Sequence, residues 1–318
     1  MPALPQVTDK WILSLRGPRA ALDPRRPYAW LIEPERTRAG RVEEVATIFL
    51  TNKECPFRCL MCDLWRHTTA ERVPEGAVAE QVAWALRQMP GPRHVKLYNA
   101  GNFFDLQAIP RDDRRRIGER VRGHETVIVE CHPRLVQRDC LEFAERLQGR
   151  LEVAMGLETI DPAAMALLNK RMTLDDYAGA TRRLTRAEIT ARAFILLRCP
   201  PQSESEGIAW ARRSIAWAFE TGVECCVVIP TRGGNGAMER MAEAGAFEPP
   251  AVGSLLEVLE YGLSLRGGRV FADLWDLRQR ADLSLREREQ IDRMALLNLT
   301  QDLAAANACA GAAREPAA

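Results

Sequence analysis

Val45-Ala-Thr-Ile-Phe-Leu50-Thr51-Asn52-Lys53-Glu54-Cys55-Pro-Phe-Arg-Cys59-Leu-Met-Cys62 joins a β-branched apolar run to three closely spaced cysteines. The run Val45–Leu50 predicts a strand. A metal loop directly after it is what an active site at the C-terminal end of a barrel strand requires. Three soft thiolates on one loop are an incomplete ligand set. A structural zinc site closes with four ligands, usually as two separated pairs, and a 4Fe–4S cluster has four irons to ligate. No second close-spaced cysteine pair occurs in the chain. One coordination position is therefore left for something that is not protein.

Outward from this loop the chain alternates. Gly76–Met89 has helical spacing (Val78, Val82, Leu86, Met89) and stops at Pro90-Gly-Pro92. Strands are predicted at His94–Tyr98, Glu125–Glu130, Leu151–Met155, Thr190–Leu197 and Glu224–Ile229. Between them fall helices at Arg111–Val121, Leu135–Leu147, Asp161–Asn169, Thr173–Ala187 and Glu204–Thr221. Thr173 with Asp176 approaches a capping box. Six strands alternating with helices predict a parallel sheet with right-handed crossovers. The expected fold class is α/β, a partial (β/α)6 TIM-type barrel with parallel strands. A doubly wound sheet is the alternative, although no G-x-G-x-x-G follows the first strand. Around the core barrel at 41–232 we expect a Pro- and Arg-rich N-terminal extension (1–40) and a mostly helical C-terminal extension (233–318). The latter begins at the loop Gly233-Gly-Asn-Gly236 and contains helices at Met238–Ala244 and Val252–Leu265. A strand-like Arg269–Ala272 and a last helix, Leu285–Ala306, follow.

With 318 residues, 47% of them apolar and 27% charged, the chain reads as an ordinary soluble enzyme. A net charge of +1 provides no global basic field for nucleic acid. The N-terminus lacks a signal-peptide pattern and no stretch has the length of a membrane span, so a cytoplasmic location with no membrane contact is expected. The remaining cysteines (Cys131, Cys140, Cys199, Cys225, Cys226, Cys309) are scattered and read as small core residues.

The C-x3-C-x2-C spacing, with Met61 before the last cysteine, resembles the signature of the radical S-adenosylmethionine (SAM) superfamily. The resemblance implies a 4Fe–4S cluster on Cys55, Cys59 and Cys62, with SAM on the open iron. One-electron reduction by a flavodoxin- or ferredoxin-like partner would then yield methionine and a 5′-deoxyadenosyl radical. Gly156-Leu-Glu158-Thr159, followed by Asn169-Lys-Arg171, is similar to the Elongator and methylthiotransferase branch. On that resemblance Asn99, Gly101 and Asn102 face the amino group of SAM, and Glu130 an ammonium or a ribose hydroxyl. Glu158 faces the ribose or methionine part and Arg171 the carboxylate, while Met61 and Ile229 cover adenine. Ordinary structural roles remain open for each: a turn for the asparagines, a strand-end acid for Glu130, a salt bridge for Arg171. His132 reads as a structural histidine, and Tyr98, Cys199 and Cys225 as core residues or hydrogen donors.

A longer pattern over 45–275 resembles the radical SAM subunit family of archaeosine synthase, which acts on a lysine-modified deazaguanine in tRNA. The pattern departs at Phe271-Ala-Asp-Leu-Trp275-Asp-Leu. Three classes of function stay open. One is a radical SAM enzyme on a small molecule or peptide. Another is a tRNA-modifying radical lyase, with Arg114-Arg-Arg116 and Arg182-Arg183 touching phosphates. The third is a non-enzymatic metal-binding protein.

Overall fold

In the computed structural model, which describes residues 4–304, the run ending at Leu50 is the second strand of one eight-stranded sheet. The strands are β1 (Ala29–Arg36), β2 (Val42–Leu50), β3 (His94–Asn99), β4 (Thr126–Glu130), β5 (Arg150–Glu158), β6 (Thr190–Leu197), β7 (Cys225–Pro230) and β8 (Arg269–Ala272). They lie side by side in chain order; β2 to β8 are parallel and β1 is antiparallel to β2. This is the expected α/β partial barrel, with strands beyond the six anticipated. The segment read as an extension contributes β1. Its alternation is hidden by Pro34, which an edge strand tolerates, and by Trp30 and Ile32 on its exposed face.

The helices are α1 (Asp9–Ser14), α2 (Ala77–Gln88), α3 (Arg111–Val121), α4 (Arg138–Ala144), α5 (Pro162–Leu167), α6 (Leu174–Arg186), α7 (Glu204–Glu220), α8 (Ala237–Glu243), α9 (Val252–Ser264) and α10 (Leu285–Thr300). The capping box opens α6: Asp176 N–H donates to Thr173 Oγ1 at 3.1 Å, and Thr173 N–H donates to Asp176 Oδ2 at 3.0 Å. α4 is shorter than the 135–147 expected, because a 3-10 turn at Pro133–Leu135 precedes it. α10 ends at Thr300, where Gln301 turns left-handed; the rest of the run expected to Ala306 passes beyond the described residues, as does Cys309.

Side chains alternate across the sheet. Ile48, Leu50, Val95, Leu97, Val127, Val129, Val153, Met155, Ala193, Ile195, Cys226 and Val228 are buried in the layer shared with the helices. The concave face is different. Low in it lies a buried ion layer: Arg192 binds Glu152 through Nε and Glu35 Oε1 through Nη2 at 2.6 Å. Lys96 Nζ meets Glu35 at 2.6 Å and Glu33 at 2.8 Å, and Arg269 Nη2 meets Glu152 at 2.8 Å. Above it stands a row of rings. Phe49 and Tyr98 lie 6.2 Å apart, as do Tyr98 and Phe194, and Arg192 sits 5.7 Å below the centre of Phe271.

The sheet's late edge is closed by side chains rather than by another strand. Val270 N–H donates to Gln301 Oε1 at 2.8 Å, and Gln301 Nε2 donates to Val270 O at 2.7 Å. Two residues on, Ala272 N–H and O make the same pair of bonds with Asn298, each at 2.9 Å. The two carboxamides reproduce the donor–acceptor spacing of a strand. Asn298→Ala should destabilise the fold by about 1–3 kcal/mol, because buried edge groups lose their partners; the midpoint of a urea transition, at unchanged slope, measures it.

Candidate active site

The cysteine loop leaves the top of β2 and is held from several directions. Gln81 of α2 clamps Thr51 as a strand would, accepting its N–H and donating to its O, each at 2.8 Å. Glu54 is ringed by Arg16 at 2.5 Å, Arg58 at 3.2 Å and Arg19. Burial works against that carboxylate, but the arginines outweigh it and hold it below its ordinary pKa. Asn169 Nδ2 donates to Arg58 O at 2.7 Å. From the Gly-rich loop, Asn235 Nδ2 donates to Leu60 O at 2.7 Å and to Cys62 O at 3.3 Å, while its Oδ1 accepts Met238 N–H at 2.8 Å. Asn235→Ala should therefore raise the reactivity of the loop cysteines toward a thiol reagent in the metal-free protein several-fold. It should also lower stability by about 1–3 kcal/mol. Timed alkylation read by mass spectrometry tests the first and urea unfolding the second.

Cys55, Cys59 and Cys62 are half-buried. Burial raises all three thiols, Cys62 to about 12. An uncompensated thiolate is unfavourable in such a setting, and a bound metal is what relieves it. Two neighbours favour negative sulfur. Asn102 Nδ2 donates to Cys55 Sγ at 3.2 Å, and its orientation is locked because Oδ1 accepts His132 N–H at 2.7 Å. Lys170 is half-buried and paired with Glu158; burial alone would lower its pKa, but the Glu158 carboxylate and the cysteines more than offset that. Cys131, Cys140, Cys199, Cys225 and Cys226 are all buried, and Cys131 directs its thiol at His132 O. Three thiols on one loop, with amide and ammonium support, fit an iron–sulfur cluster with one iron open to a ligand.

His132 is fixed as neutral. Its Nδ1 accepts Arg134 N–H, so the proton lies on Nε2, which donates to Lys170 O at 3.2 Å; the ring stacks on Phe57 at 3.9 Å. Burial and then the Lys170 charge lower its pKa to about 4. It braces the loop rather than moving protons.

The other expected site residues divide. Asn99, Gly101, Asn102 and Glu130 come together at the tops of β3 and β4. Glu130 Oε2 accepts Asn99 N–H at 3.1 Å, and burial pushes its carboxyl up to about 8. The Asn99 amide is buried with neither Nδ2 nor Oδ1 bonded in the protein. A Cβ at Gly101 would fall 3.1 Å from Asn52 Nδ2 and 3.2 Å from Asn99 Nδ2, so a side chain there would crowd both amides. Met61 and Ile229 pack against one shared apolar cluster of Ala164, Leu168, Leu196 and Cys199. Arg171 is not brought in: it is exposed and paired with Asp9, while its neighbour Lys170 points inward. The arginine strips are only partly engaged, with Arg116 and Arg182 exposed and outside any ion pair among the described residues. Arg114 is buried on Asp139 and Phe104 O, Arg115 pairs with Glu119, and Arg183 Nε donates to Val136 O.

Tyr28, Lys170 and Asn235 were not singled out by the sequence. Tyr28 lies just before β1, stacked on His67 at 4.7 Å, with its phenol raised by burial and then by Glu130, Asp63 and Cys62. At the opposite end of the sheet Glu43, His94 and Glu125 gather, but Arg41 and Arg93 already balance both carboxylates. That group is an ion cluster at the sheet's base.

The chain is 28% identical over 210 residues to archaeosine synthase subunit beta of Thermococcus kodakarensis, a match spanning 63% of this chain and 65% of that protein. This similarity and the three-cysteine loop liken the chain to the radical SAM superfamily. It thus spans just under two thirds of the length of the curated relative it matches. No protein-family model matches. Among solved structures, the chain resembles methylornithine synthase at a TM-score of 0.49, with 11% identity over 85% of this chain and 86% of that one. It resembles Elp3 of Methanocaldococcus infernus at 0.48, with 16% identity over 60% and 51%. For coproporphyrinogen III oxidase of Escherichia coli, a radical SAM enzyme, the score is 0.47, with 13% identity over 70% and 52%. No helix among the described residues is long and apolar enough to cross a membrane.

Proposed function

We propose that this chain is a radical SAM enzyme that cleaves SAM reductively and uses the resulting radical on a substrate held against the concave face of the sheet. The observation that carries the reading is the set of three half-buried thiols on one braced loop, with Asn102 and Lys170 arranged for negative sulfur. When bound, a 4Fe–4S cluster on Cys55, Cys59 and Cys62 would supply the electron that breaks the sulfonium bond of SAM, giving methionine and a 5′-deoxyadenosyl radical. The chain's part is to orient and to exclude water. Asn99, Gly101 and Glu130 would receive the amino group of SAM. Lys170, taking the place first given to Arg171, would meet its carboxylate beside Glu158, since an ammonium suits that charge. Met61 and Ile229 would flank adenine. The C-terminal segment, through β8, α9 and α10 of its described residues, would complete the barrel on the substrate side.

The electron would come from a flavodoxin- or ferredoxin-like protein in the cytoplasm. Archaeosine-type chemistry on tRNA is supported by the relative, while the near-neutral net charge and the burial of Arg114 on Asp139 favour a small-molecule or peptide substrate. Anaerobic reconstitution with iron and sulfide, then dithionite and SAM, tests the proposal: 5′-deoxyadenosine should accumulate. An intact cluster with no cleavage under any reductant would refute it.

A further inference from the structure

The two sides of the chamber carry opposite charge. Around the cysteine loop cations lead, with Arg16, Arg19, Arg58 and Lys170 facing only Glu54 and Glu158 as ion-pair partners. On the concave face acids lead. Lys96, Arg192 and Arg269 are consumed in the ion layer by Glu33, Glu35, Glu152 and Glu224. Above that layer, Asp273 forms no ion pair among the described residues: Arg232, the cation that acts on it most strongly, pairs with Asp63 and Asp276 instead.

Asp273 continues the register of β8. Its N–H donates to Val228 O at 2.8 Å, so its side chain points inward like Phe271, within electrostatic reach of Arg232, Glu33 and Lys96. One carboxylate oxygen, Oδ1, accepts Trp275 N–H at 3.0 Å. Trp275 is 51% exposed, and its ring stands 6.4 Å from Phe49, over the row of aromatic side chains. A half-buried carboxylate with one oxygen engaged, beside open aromatic faces, suits a cation next to a flat apolar group. It suits a single-point donor in particular. A guanidinium fork seeks both oxygens of a carboxylate, whereas an ammonium is satisfied by one.

Resting on the reading that this chamber holds the substrate, we propose that Asp273 and Trp275 form its specificity subsite, receiving a protonated amine of the substrate with an adjoining planar group covered by Trp275 and Phe49. The residues that make it fall in the segment where the sequence departs from the archaeosine synthase pattern, so this specificity belongs to the present chain.

The test uses the reconstituted protein and four phenyl probes of similar size: phenethylamine, its isostere 2-phenylethanol, 3-phenylpropionate and benzylguanidine. Equilibrium dialysis should show the amine bound about tenfold or more tighter than the alcohol, a gap worth about 1.4 kcal/mol, with the carboxylate weakest and the guanidine no better than the amine. Asp273→Asn keeps an oxygen for Trp275 N–H and should bring amine and alcohol to equal affinity. Trp275→Ala should weaken both. Equal binding of amine and alcohol by the unaltered protein, an amine preference that survives Asp273→Asn, or tightest binding of the guanidine would each overturn the proposal. Neither SAM nor reductant enters the measurement. Its failure would leave the SAM-cleavage reading standing, and failure of SAM cleavage would leave this result standing.

Discussion

Single replacement of Cys55, Cys59 or Cys62 by alanine should abolish 5′-deoxyadenosine formation and the iron content of the reconstituted protein together. The loss should exceed the roughly 10–100-fold that removal of an outer partner costs a metal site, because each cysteine is one third of the protein's thiolate set. Cys131→Ala and Cys140→Ala are the controls. Neither thiol lies on the loop, one being buried on His132 O and the other in the helix-side core, so both variants should keep the iron. Retention of iron by a loop variant, or its loss from both controls, would mean that the ligand set has been misassigned.

The second large effect lies at the other end of the chamber. Arg192 is 2% exposed, gripping Glu35 and Glu152 at once. Arg192→Met should destabilise the protein by about 3–5 kcal/mol, since it strands buried charge rather than removing a pair. The pH dependence has a definite sign. Burial alone would raise both carboxyls; Arg192, with Lys96 for Glu35 and Arg269 for Glu152, holds them below the ordinary range instead. A depressed carboxyl stabilises the fold above its unfolded pKa of about 4.3 and loses that contribution as pH falls below it. The deficit of the variant should therefore be greatest near neutrality and narrow toward pH 4. Urea unfolding at the two pH values checks it, and a pH-independent difference would show that the loss is one of packing.

The strand–helix alternation and the cysteine loop were legible because each has a local period or spacing. Where the reading fell short, the deciding contact is distant or the deciding variable is a backbone angle. Asn235 reaches Leu60 across 175 residues, and nothing in Gly-Gly-Asn-Gly announces that. Lys170 and Arg171 are adjacent cations in a turn where Asn169 and Arg171 both adopt positive φ, and that geometry decides which of them enters the site. β1 was missed because an edge strand shows solvent one face and tolerates Pro34, so its pattern is diluted. Asp273 and Trp275 stood in plain view as a departure from a resemblance; their meaning required the register of β8.

The carboxamides of Asn298 and Gln301 also bear on the order of assembly. Until α10 has docked, β8 presents unpaired backbone groups along a parallel edge, the kind of template that recruits other chains. Completion of the sheet thus waits on a segment synthesised after all eight strands, and the interval before docking is when this protein is most open to wrong partners. Two amide side chains at helical spacing turn an adhesive border into a finished one.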